Sequence, residues 1–487
     1  MRFVALAAGF DGTLAREGRY DERCIEALRA LAATGRKLIL VTARELRDLL
    51  EVFPSARVFD YVIAENGAIL HHPATKRSEI LGRAPSEILL QELARRGVQP
   101  LTVGSSIIRT SLANEGEVRD AIIKLRLDCQ LVANDESLII SPAEVSKASG
   151  VREALRQAGI SAHNLVVIGD AQNDIALFDL AEHAVAVANA DEAVKLGADR
   201  VTSGAYCDGF LELARDLMEG DLAYALPKTQ VPVGKLEDGS ELSVAPYFDS
   251  LLICGPRGSG KEAVCAQILR QMQSGDYQYC VIGAGSSRLF AAGSGVRVYG
   301  DAHEAPRLSE IMSALEHPTA SAMLDLAGLP AESRSVFVEA LLVQLQALHD
   351  RVGRPHAIVV QDAHWLLAGP TVPASATRLS EMTRIYVSSE PERLPGEILE
   401  GVVAVVALGK NASVPGQFAD FGVTAPLRLR GPIDAGSSHT AQAWLRADRR
   451  LRSHATAEEA GCVGNSRPRD EDSASSAERD ELSSLSG

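Results

Sequence analysis

The sequence has no long apolar run, no Cys-x-x-Cys pair and no surplus of positive charge. None of its apolar stretches approaches the roughly 20 residues that a membrane-spanning helix needs, so we expect no membrane insertion. Its seven cysteines are scattered singly, which argues against a zinc site and predicts reduced thiols. The 49 Lys and Arg residues are outnumbered by 64 Asp and Glu, and a net charge of −15 argues against general nucleic-acid binding. These features predict a soluble, cytoplasmic protein.

The chain is nevertheless apolar enough to fold. Hydrophobic residues make up 46% of the 487 positions, which excludes wholesale disorder. Apolar strand-like runs alternate with helical segments in two regions, a rhythm that predicts α/β domains with mainly parallel sheets. We found no internal repeat of 20 to 50 residues.

The alternation and the composition together predict two domains and a tail. The first domain covers residues 1–222, with a small α+β lobe inserted at about 84–142. Residues 223–246 contain several Pro and Gly residues and are typical of a linker with room for a short hairpin. A second α/β domain is predicted for residues 247–430. Residues 431–487 are rich in Ser, Glu, Asp and Arg and predict a disordered tail, with at most a transient helix at 441–452.

Polar residues follow several predicted strands of the first domain. They are the run Gly9 to Leu14, then Thr42, then Asp170 and Asp174, with Lys147 beginning a later segment. Because the carboxyl ends of parallel strands meet at one crevice, these distant segments are predicted to form one site. A hydroxyl, a cation and a carboxylate pair suit phosphate chemistry. We predict that Thr42 and Lys147 bind phosphate oxygens and that Asp170 and Asp174 hold Mg²⁺.

In this order the segments resemble the four motifs of the haloacid dehalogenase superfamily, and specifically its Cof-type phosphatases. The resemblance covers residues 1–222, and the run Ala-Glu-Asn-Gly-Ala at 64–68 together with the inserted lobe fits that subfamily. It implies a Rossmann-like core with a cap and a substrate that is a small phosphorylated metabolite. It also implies that Asn66, Gly67 and Asn173 contact this substrate. The alternative interpretation is structural, with Asp11 capping a turn and Asp170 ending a strand.

The first motif departs from the family pattern Asp-x-Asp-Gly-Thr-Leu. In the family the first Asp attacks phosphorus, and the second, here Asp11, serves as acid and base. This chain has Gly9 at the first position. Glycine can neither form an aspartyl-phosphate nor offer a carboxylate to a metal ion, so we expect impaired hydrolysis.

A second glycine-rich segment lies at the start of the second domain, between a predicted strand and a predicted helix. Its residues are Gly255, Gly258, Ser259, Gly260, Lys261 and Glu262. The spacing resembles a Walker A loop, in which backbone N–H groups and a lysine surround nucleotide phosphates. The family places Ser or Thr after the lysine as a Mg²⁺ ligand, whereas this chain has Glu262. We therefore expect ATP binding to be weakened.

Gln361 and Asp362 follow another predicted strand in this domain and resemble the Walker B position of FtsK/HerA-type ATPases. Gln361 stands where the family has a metal-organising Asp, and Asp362 where it has a water-polarising Glu. The resemblance implies a P-loop NTPase-like domain that binds a nucleotide without efficient hydrolysis.

The sequence is compatible with two alternative functions. The residues favour a catalytically impaired protein that binds phosphorylated ligands and acts in regulation or as a scaffold. Family descent favours an active Mg²⁺-dependent phosphatase coupled to nucleotide binding. A DNA pump is disfavoured by the acidic charge and the altered Walker residues. The sequence leaves the physiological ligand and the oligomeric state open.

Overall fold

The structure is a computed structural model that describes residues 1–134, 136–236, 239–247, 249–285, 296–367, 381–409, 412, 414–418, 423–429 and 440–445. The first part of the chain folds as β1 (Ala5–Gly9), β2 (Ala15–Arg16), β3 (Arg19–Tyr20), α1 (Glu22–Ala33), β4 (Lys37–Val41), α2 (Leu46–Val52), β5 (Tyr61–Ala64), β6 (Ile69–His72), β7 (Arg77–Ile80), α3 (Glu87–Arg95), β8 (Thr102–Val103), β9 (Ile108–Ser111), α4 (Glu115–Leu125), β10 (Cys129–Asn134), β11 (Ser137–Pro142), α5 (Lys147–Ala158), β12 (Leu165–Gly169), α6 (Ile175–Leu180), β13 (His183–Ala186), α7 (Glu192–Gly197), β14 (Arg200–Val201) and α8 (Cys207–Gly220).

The first sheet has eight strands in the order β14-β13-β12-β1-β4-β5-β6-β7. The strands from β14 to β5 are parallel, and β6 and β7 are antiparallel additions. Strands β1 and β12 are buried along their whole length because helices cover both faces of the sheet, which explains their continuous apolar runs. The predicted α/β Rossmann-like core is confirmed for this half of the chain.

Strand register places three loops side by side. Gly9 at the end of β1 pairs with Val41 at the end of β4, and on the other side Ala8 pairs with Ile168, just before the end of β12. The loops that begin with Phe10, Thr42 and Asp170 therefore leave the sheet at the same edge.

A small lobe stands between β7 and α5. Its four strands form an antiparallel sheet in the order β10-β11-β9-β8. Helices α3 and α4 pack on one face of this sheet through a separate apolar core that includes Leu93, Val118, Ile108 and Ile140. The opposite face of the lobe is turned toward the core domain.

The rest of the described chain forms β15 (Val231–Leu236), β16 (Glu241–Val244), β17 (Ser250–Cys254), α9 (Lys261–Ser274), β18 (Tyr279–Gly283), β19 (Arg297–Tyr299), α10 (Leu308–Leu315), β20 (Ala322–Asp325), α11 (Ala331–Val352), β21 (Ala357–Val360), α12 (Ala363–Leu366), β22 (Thr383–Ser388), α13 (Gly396–Glu400), β23 (Ala404–Leu408), β24 (Val423–Leu429) and β25 (Thr440–Leu445). These strands form an eleven-stranded sheet in the order β16-β15-β24-β25-β23-β17-β22-β21-β18-β20-β19. Strands and helices alternate in much of this region, as the hydrophobic pattern of the sequence indicated.

The predicted linker contains the β15–β16 hairpin for which the sequence left room. Gly234 of β15 pairs with Leu429, nearly two hundred residues later, so the hairpin is part of the large sheet, and its local sequence gives no signal of this pairing. One prediction at the other end of the region is wrong. The predicted tail contains β25, which pairs with both β23 and β24, so the transient helix is wrong for Thr440–Leu445. The rest of the predicted tail lies outside the described residues.

The prediction that all cysteines are reduced is also wrong for one pair. Cys24 in α1 and Cys207 at the start of α8 form a disulfide, with their Cα atoms 5.9 Å apart. The two residues are 183 positions apart and meet because these two helices pack against each other. None of the helices in the described part of the chain combines the length and apolarity needed to span a bilayer.

Residues Met1–Leu451 form one compact unit, and buried polar contacts join the two sheets within it. Asn164, fully buried just before β12, donates from Nδ2 to the carbonyl oxygens of Arg2 (2.7 Å) and Gly353 (3.2 Å). Its Oδ1 lies 3.3 Å from Nε2 of His356, which immediately precedes β21. We call these contacts the seam.

Candidate functional site

A cleft of about 890 Å³ opens at the carboxyl edge of the first sheet, between the core domain and the lobe. The core contributes several of the residues singled out from the sequence, namely Asp11, Thr42, Lys147 and Asp170. Four segments that are distant in sequence therefore lie around one cavity, as the parallel topology predicted.

Gly9 lies at the end of β1, and a side chain at this position would point into the floor of the cleft. A Cβ atom there would be 2.8 Å from the Thr13 hydroxyl oxygen and 3.8 Å from Oδ1 of Asp170. The Thr13 hydroxyl donates a hydrogen bond to that same Asp170 oxygen, at 2.7 Å. Thr13 therefore occupies part of the space that a carboxylate at position 9 would need.

Asp11 lies on the cleft wall and forms an ion pair that the sequence did not predict. Nε of Arg44 donates to Oδ2 of Asp11 at 2.7 Å, and Nη2 donates to Oδ1 at 2.8 Å. Nη1 of Arg44 also donates to Asp48. Hydrogen bonding to Asp11 raises the pKa of Arg44 above its usual value, so this guanidinium stays charged. Both carboxylate oxygens of Asp11 are thus occupied as acceptors.

Lys147 is the first residue of α5 and is buried. Its Nζ donates to Oδ1 of Asp174 and to Oδ1 of Asn173, each at 2.7 Å. Oδ2 of Asp174 accepts the backbone N–H groups of Asp170 (3.1 Å) and Ala171 (3.2 Å). Asp174 therefore orders the loop after β12, and its side chain is 2% exposed.

Asn66 and Gly67 lie beneath the cleft and are not among the described residues that line it. Asn66 has a φ of +54°, and its Oδ1 is 3.5 Å from Nδ2 of Asn173. Gly67 has a φ of +109°, and a Cβ there would lie 1.9 Å from the carbonyl oxygen of Ser146. Gly67 thus allows the start of α5, and with it Lys147, to approach the sheet. The substrate contacts predicted for Asn66, Gly67 and Asn173 stay predictions.

Thr42 is positioned by its neighbours in the loop after β4. Its side chain is almost completely buried, and Oγ1 accepts the backbone N–H of Arg44 at 3.1 Å. The backbone N–H of Asn66 donates to the Thr42 carbonyl at 3.1 Å. The hydroxyl is therefore held at the cleft, where a phosphate oxygen could accept its proton.

The carboxylates present fit a resident Mg²⁺ ion poorly. No group of three or more His, Cys, Asp and Glu side chains in the described ranges is arranged to hold a metal ion. Gly9 supplies no ligand, Asp11 is paired with Arg44, and Asp174 is paired with Lys147. Asp170 remains as the acidic side chain at the floor of the cleft. The assignment of Asp170 and Asp174 to Mg²⁺ stays a prediction.

The second glycine-rich segment forms a loop between β17 and the 14-residue helix α9. Gly255 is required because a Cβ there would lie 2.3 Å from the carbonyl oxygen of Leu408 and 2.8 Å from Oγ of Ser259. Gly258 and Gly260 have φ angles of +77° and +96°, which let the chain turn into the helix. The loop thus ends with backbone N–H groups at a helix N-terminus, an environment that favours anions.

Lys261, the first residue of α9, is turned back onto its own loop. Its Nζ donates to the carbonyl oxygen of Pro256 at 2.9 Å and lies 3.9 Å from Oε1 of Glu262. Gln361 is buried at the end of β21, and a Cβ on Gly283 would lie 2.6 Å from its Oε1. Asp362 follows with a φ of +46°. These residues lie where the sequence placed them, and their nucleotide contacts stay predictions.

Among the described residues, three arginines line the cleft, Arg16, Arg44 and Arg109, and none is among the sequence-predicted site residues. Arg44 follows Thr42 by two positions, so its proximity to a predicted phosphate site was a usable signal. Arg109 belongs to the lobe and carries no such signal. Its Nη2 donates to the backbone carbonyl of Ala43 across the cleft.

Comparisons with known proteins match the N-terminal part of the chain. The profile of the haloacid dehalogenase-like hydrolase family matches residues 6–87 and 118–213. A phosphoglycolate phosphatase from Halorubrum lacusprofundi is 31% identical over 223 residues, which cover 44% of this chain and 96% of that protein. One from Methanothermobacter thermautotrophicus is 29% identical over 221 residues, covering 44% of this chain and 98% of that protein.

Among solved structures, a haloacid dehalogenase-like hydrolase from Bacteroides thetaiotaomicron aligns with 18% identity over 44% of this chain and 99% of its own, with a TM-score of 0.40. The similarity to both phosphoglycolate phosphatases spans nearly the whole of each relative and 44% of this chain. Through this N-terminal region, the chain belongs to the haloacid dehalogenase-like hydrolase family.

Proposed function

We propose that the N-terminal domain binds a small phosphorylated ligand in its cleft, hydrolyses it very slowly, and acts as a regulatory or scaffold module. One observation carries the proposal, which is the state of the two residues that would react. Gly9 has no side chain where the family nucleophile is expected, and both oxygens of Asp11 accept hydrogen bonds from Arg44. Loss of a nucleophile from such a unit costs on the order of 10⁶ in turnover.

The ligand-binding part of the proposal rests on the groups that remain at the cleft. Thr42 offers a hydroxyl, and Lys147 has three N–H donors, of which Asp174 and Asn173 accept two. The buried ion pair and the loop hydrogen bonds hold these donors in place before a ligand arrives. Because the two curated relatives described above are named phosphoglycolate phosphatases, 2-phosphoglycolate is the first ligand to test.

Members of this superfamily generally use Mg²⁺. In this chain Asp170, which lines the cleft and accepts a hydrogen bond from Thr13, is the residue that would contact such an ion. A divalent ion would neutralise charge on the ligand phosphate. We assign no hydrolytic step to it, since position 9 offers no second carboxylate.

The experiment compares the natural protein with Gly9→Asp and, as a matched control, Gly9→Asn. Calorimetry with 2-phosphoglycolate measures binding, and phosphate release from a panel of phosphomonoesters with Mg²⁺ measures hydrolysis. We expect binding by all three proteins, with phosphate release above background by Gly9→Asp alone. The backbone at position 9 accepts any residue, but the Thr13 hydroxyl must rotate away to admit the new side chain.

Two results would contradict the proposal. Turnover by the natural protein at a rate similar to that of Gly9→Asp would favour the active Mg²⁺-dependent phosphatase instead. Failure of the natural protein to bind any phosphorylated ligand would contradict the proposed regulatory or scaffold function.

We further propose that the loop from Gly255 to Lys261 binds the phosphates of a nucleotide such as ATP without efficient hydrolysis. Support comes from the backbone, because a strand, a loop with glycines in left-handed conformations and a long helix occur in that order. Lys261 must leave the Pro256 carbonyl to reach a phosphate. Glu262 adds repulsion, since two unit charges about 4 Å apart interact with roughly 4 kcal/mol at an effective dielectric constant near 20.

Calorimetric titration with Mg-ATP tests this second site. We expect Glu262→Ser and Glu262→Gln to bind at least tenfold more tightly than the natural protein, because both remove the carboxylate. Lys261→Met should lose binding. If none of the three proteins with Lys261 binds ATP or ADP, the loop is an ordinary strand-to-helix turn.

A further inference from the structure

The lobe sheet presents one charged side chain to the cleft. Strand β9 alternates, so that Ile108 and Thr110 are buried on the helix side while Arg109 faces the core domain. The described lobe residues that line the cleft are Arg109, Leu112, Ala133 and Ser137. Of these four, Arg109 is the only one that carries a charge.

The other cations that line the cleft already have partners. The guanidinium of Arg16 lies over the Tyr206 ring. Arg44 is paired with Asp11 and Asp48, and Lys147 is paired with Asp174. Arg109 differs from them. Within the described ranges no Asp or Glu side chain forms an ion pair with it, and its recorded contact is one backbone carbonyl, that of Ala43.

A guanidinium has five N–H donors in a planar fork, and the bond to Ala43 uses one of them. The remaining donors match the two oxygens of a carboxylate, which arginine binds in a bidentate way. A half-buried cation without a carboxylate partner is also a favourable place for an anion, because the cleft wall has already displaced part of its water.

The position of Arg109 sets the size of the ligand. It contacts the residue that directly follows Thr42, the predicted phosphate-binding hydroxyl. Because Ala43 is adjacent to Thr42 in the chain, a ligand held by both Arg109 and Thr42 is a short one.

We propose that Arg109 is the specificity-determining residue of the cleft and that the ligand is a short phosphorylated carboxylic acid. Its phosphate lies at Thr42 and Lys147, and its carboxylate binds Arg109. This assignment rests on the proposed function, because it requires a phosphorylated ligand in the cleft. The inference adds a second anionic group, the carboxylate, to the ligand and names Arg109 as the residue that binds it.

The test uses two ligands that differ only in the carboxylate. Calorimetry compares 2-phosphoglycolate with ethyl phosphate, and inorganic phosphate is a third probe. We expect the natural protein to bind 2-phosphoglycolate at least tenfold more tightly than ethyl phosphate. In Arg109→Gln this preference should fall below threefold while the affinity for ethyl phosphate changes by less than twofold.

Glutamine retains an N–H donor but is two bonds shorter than arginine, so the affinity for ethyl phosphate also reports whether the lobe stays in place on the core. Arg119→Gln is the matched control, since Arg119 lies on α4 and pairs with Glu115 at the lobe surface. It should keep the tenfold preference.

Four outcomes separate the possibilities. A preference that persists in Arg109→Gln overturns the assignment, and so does an equal loss of affinity for both phosphate esters, which would mean that Arg109 holds the phosphate or the lobe. If the natural protein binds both esters equally, the cleft does not read a carboxylate and the proposed function stands without this inference. Absence of binding to all three probes overturns the proposed function itself.

Discussion

The buried ion pair between Lys147 and Asp174 gives the sharpest test of how the cleft is built. Both side chains are less than a tenth exposed, and Nζ lies 2.7 Å from Oδ1. Replacement of Lys147 by Met keeps most of the length of the unbranched side chain and removes its charge. The carboxylate of Asp174 then stays buried with two backbone N–H groups as its remaining partners, from Asp170 and Ala171.

Removal of one partner from a buried ion pair typically costs 3–5 kcal/mol, because the other charge is left without compensation. The two backbone N–H groups still stabilise the carboxylate in this case. We therefore expect Lys147→Met to lower the free energy of unfolding by about 3 kcal/mol, near the lower end of that range. Urea unfolding followed by circular dichroism measures the change, provided that the slope with urea concentration stays constant.

A double-mutant cycle separates the charge effect from lost packing. Asp174→Asn keeps an oxygen for the two backbone N–H groups and removes the buried charge. In the Lys147→Met background it should recover about 1–2 kcal/mol, within the usual range of coupling energies for contacting residues. If Lys147→Met lowers the free energy of unfolding by less than about 1 kcal/mol, the pair contributes no more than an exposed ion pair does, and its burial does not make it important for stability. If Asp174→Asn recovers no stability in the Lys147→Met background, the cost of Lys147→Met does not come from an uncompensated buried charge.

Three further changes probe other parts of the structure, and urea unfolding measures each. Gly12→Ala should lower the free energy of unfolding by at least 2 kcal/mol more than Gly97→Ala does. Both glycines have a positive φ, for which backbone strain alone is expected to cost about 1 kcal/mol. A Cβ on Gly12 would lie 1.8 Å from Asp170, whereas one on Gly97 meets nothing within 4 Å. Burial lowers the pKa of His183 to about 4, so the folded protein holds this side chain neutral. The free energy of unfolding should therefore fall by roughly 3 kcal/mol as the pH drops from 6.5 to 4. His183→Gln should lack this loss. Asn164→Ala removes three buried hydrogen bonds of the seam and should cost about 3 kcal/mol; a cost below about 1 kcal/mol would show that the seam adds little.

The regular elements were predictable where the hydrophobic pattern is local. Strands such as β12 and β21 are short apolar runs followed by a polar residue, and α11 shows an apolar stripe of helical period. The attachment of the β15–β16 hairpin to the second sheet was not predictable, because β15 pairs with β24 nearly two hundred residues later. Strand β25 was not predicted either, since it lies at the start of a segment whose composition resembles a tail.

The candidate site was predictable as a set of segments and not as a set of contacts. Parallel topology alone brought Thr42, Lys147 and Asp170 to one cleft. It did not predict that Asp174 would face Lys147 rather than the cleft, or that Arg44 would hold Asp11. These pairings depend on side-chain directions, which periodicity does not specify. The lobe residue Arg109 reaches the cleft only because the lobe folds back over the core.

The seam constrains how the two halves can influence each other. His356 is neutral, because burial lowers its pKa well below the usual value. Its Nδ1 accepts the backbone N–H of Gln278 at 2.8 Å, so its single proton is on Nε2 and is donated to Asn164. Asn164 precedes β12 and His356 precedes β21, whereas Asp170 and Gln361 follow the same strands. Each candidate site is therefore roughly 16–20 Å from the seam at about 3.3 Å per residue.

The hydrogen bonds of the seam have one consistent arrangement of donors and acceptors, and a fully satisfied buried network favours one relative position of the two strands. A ligand at one site can affect the other along these strands only by shifting a strand that the seam holds. The proposed phosphate-binding loops would therefore act on a common rigid centre, which suits the proposed regulatory or scaffold function better than a reaction shared between the two sites.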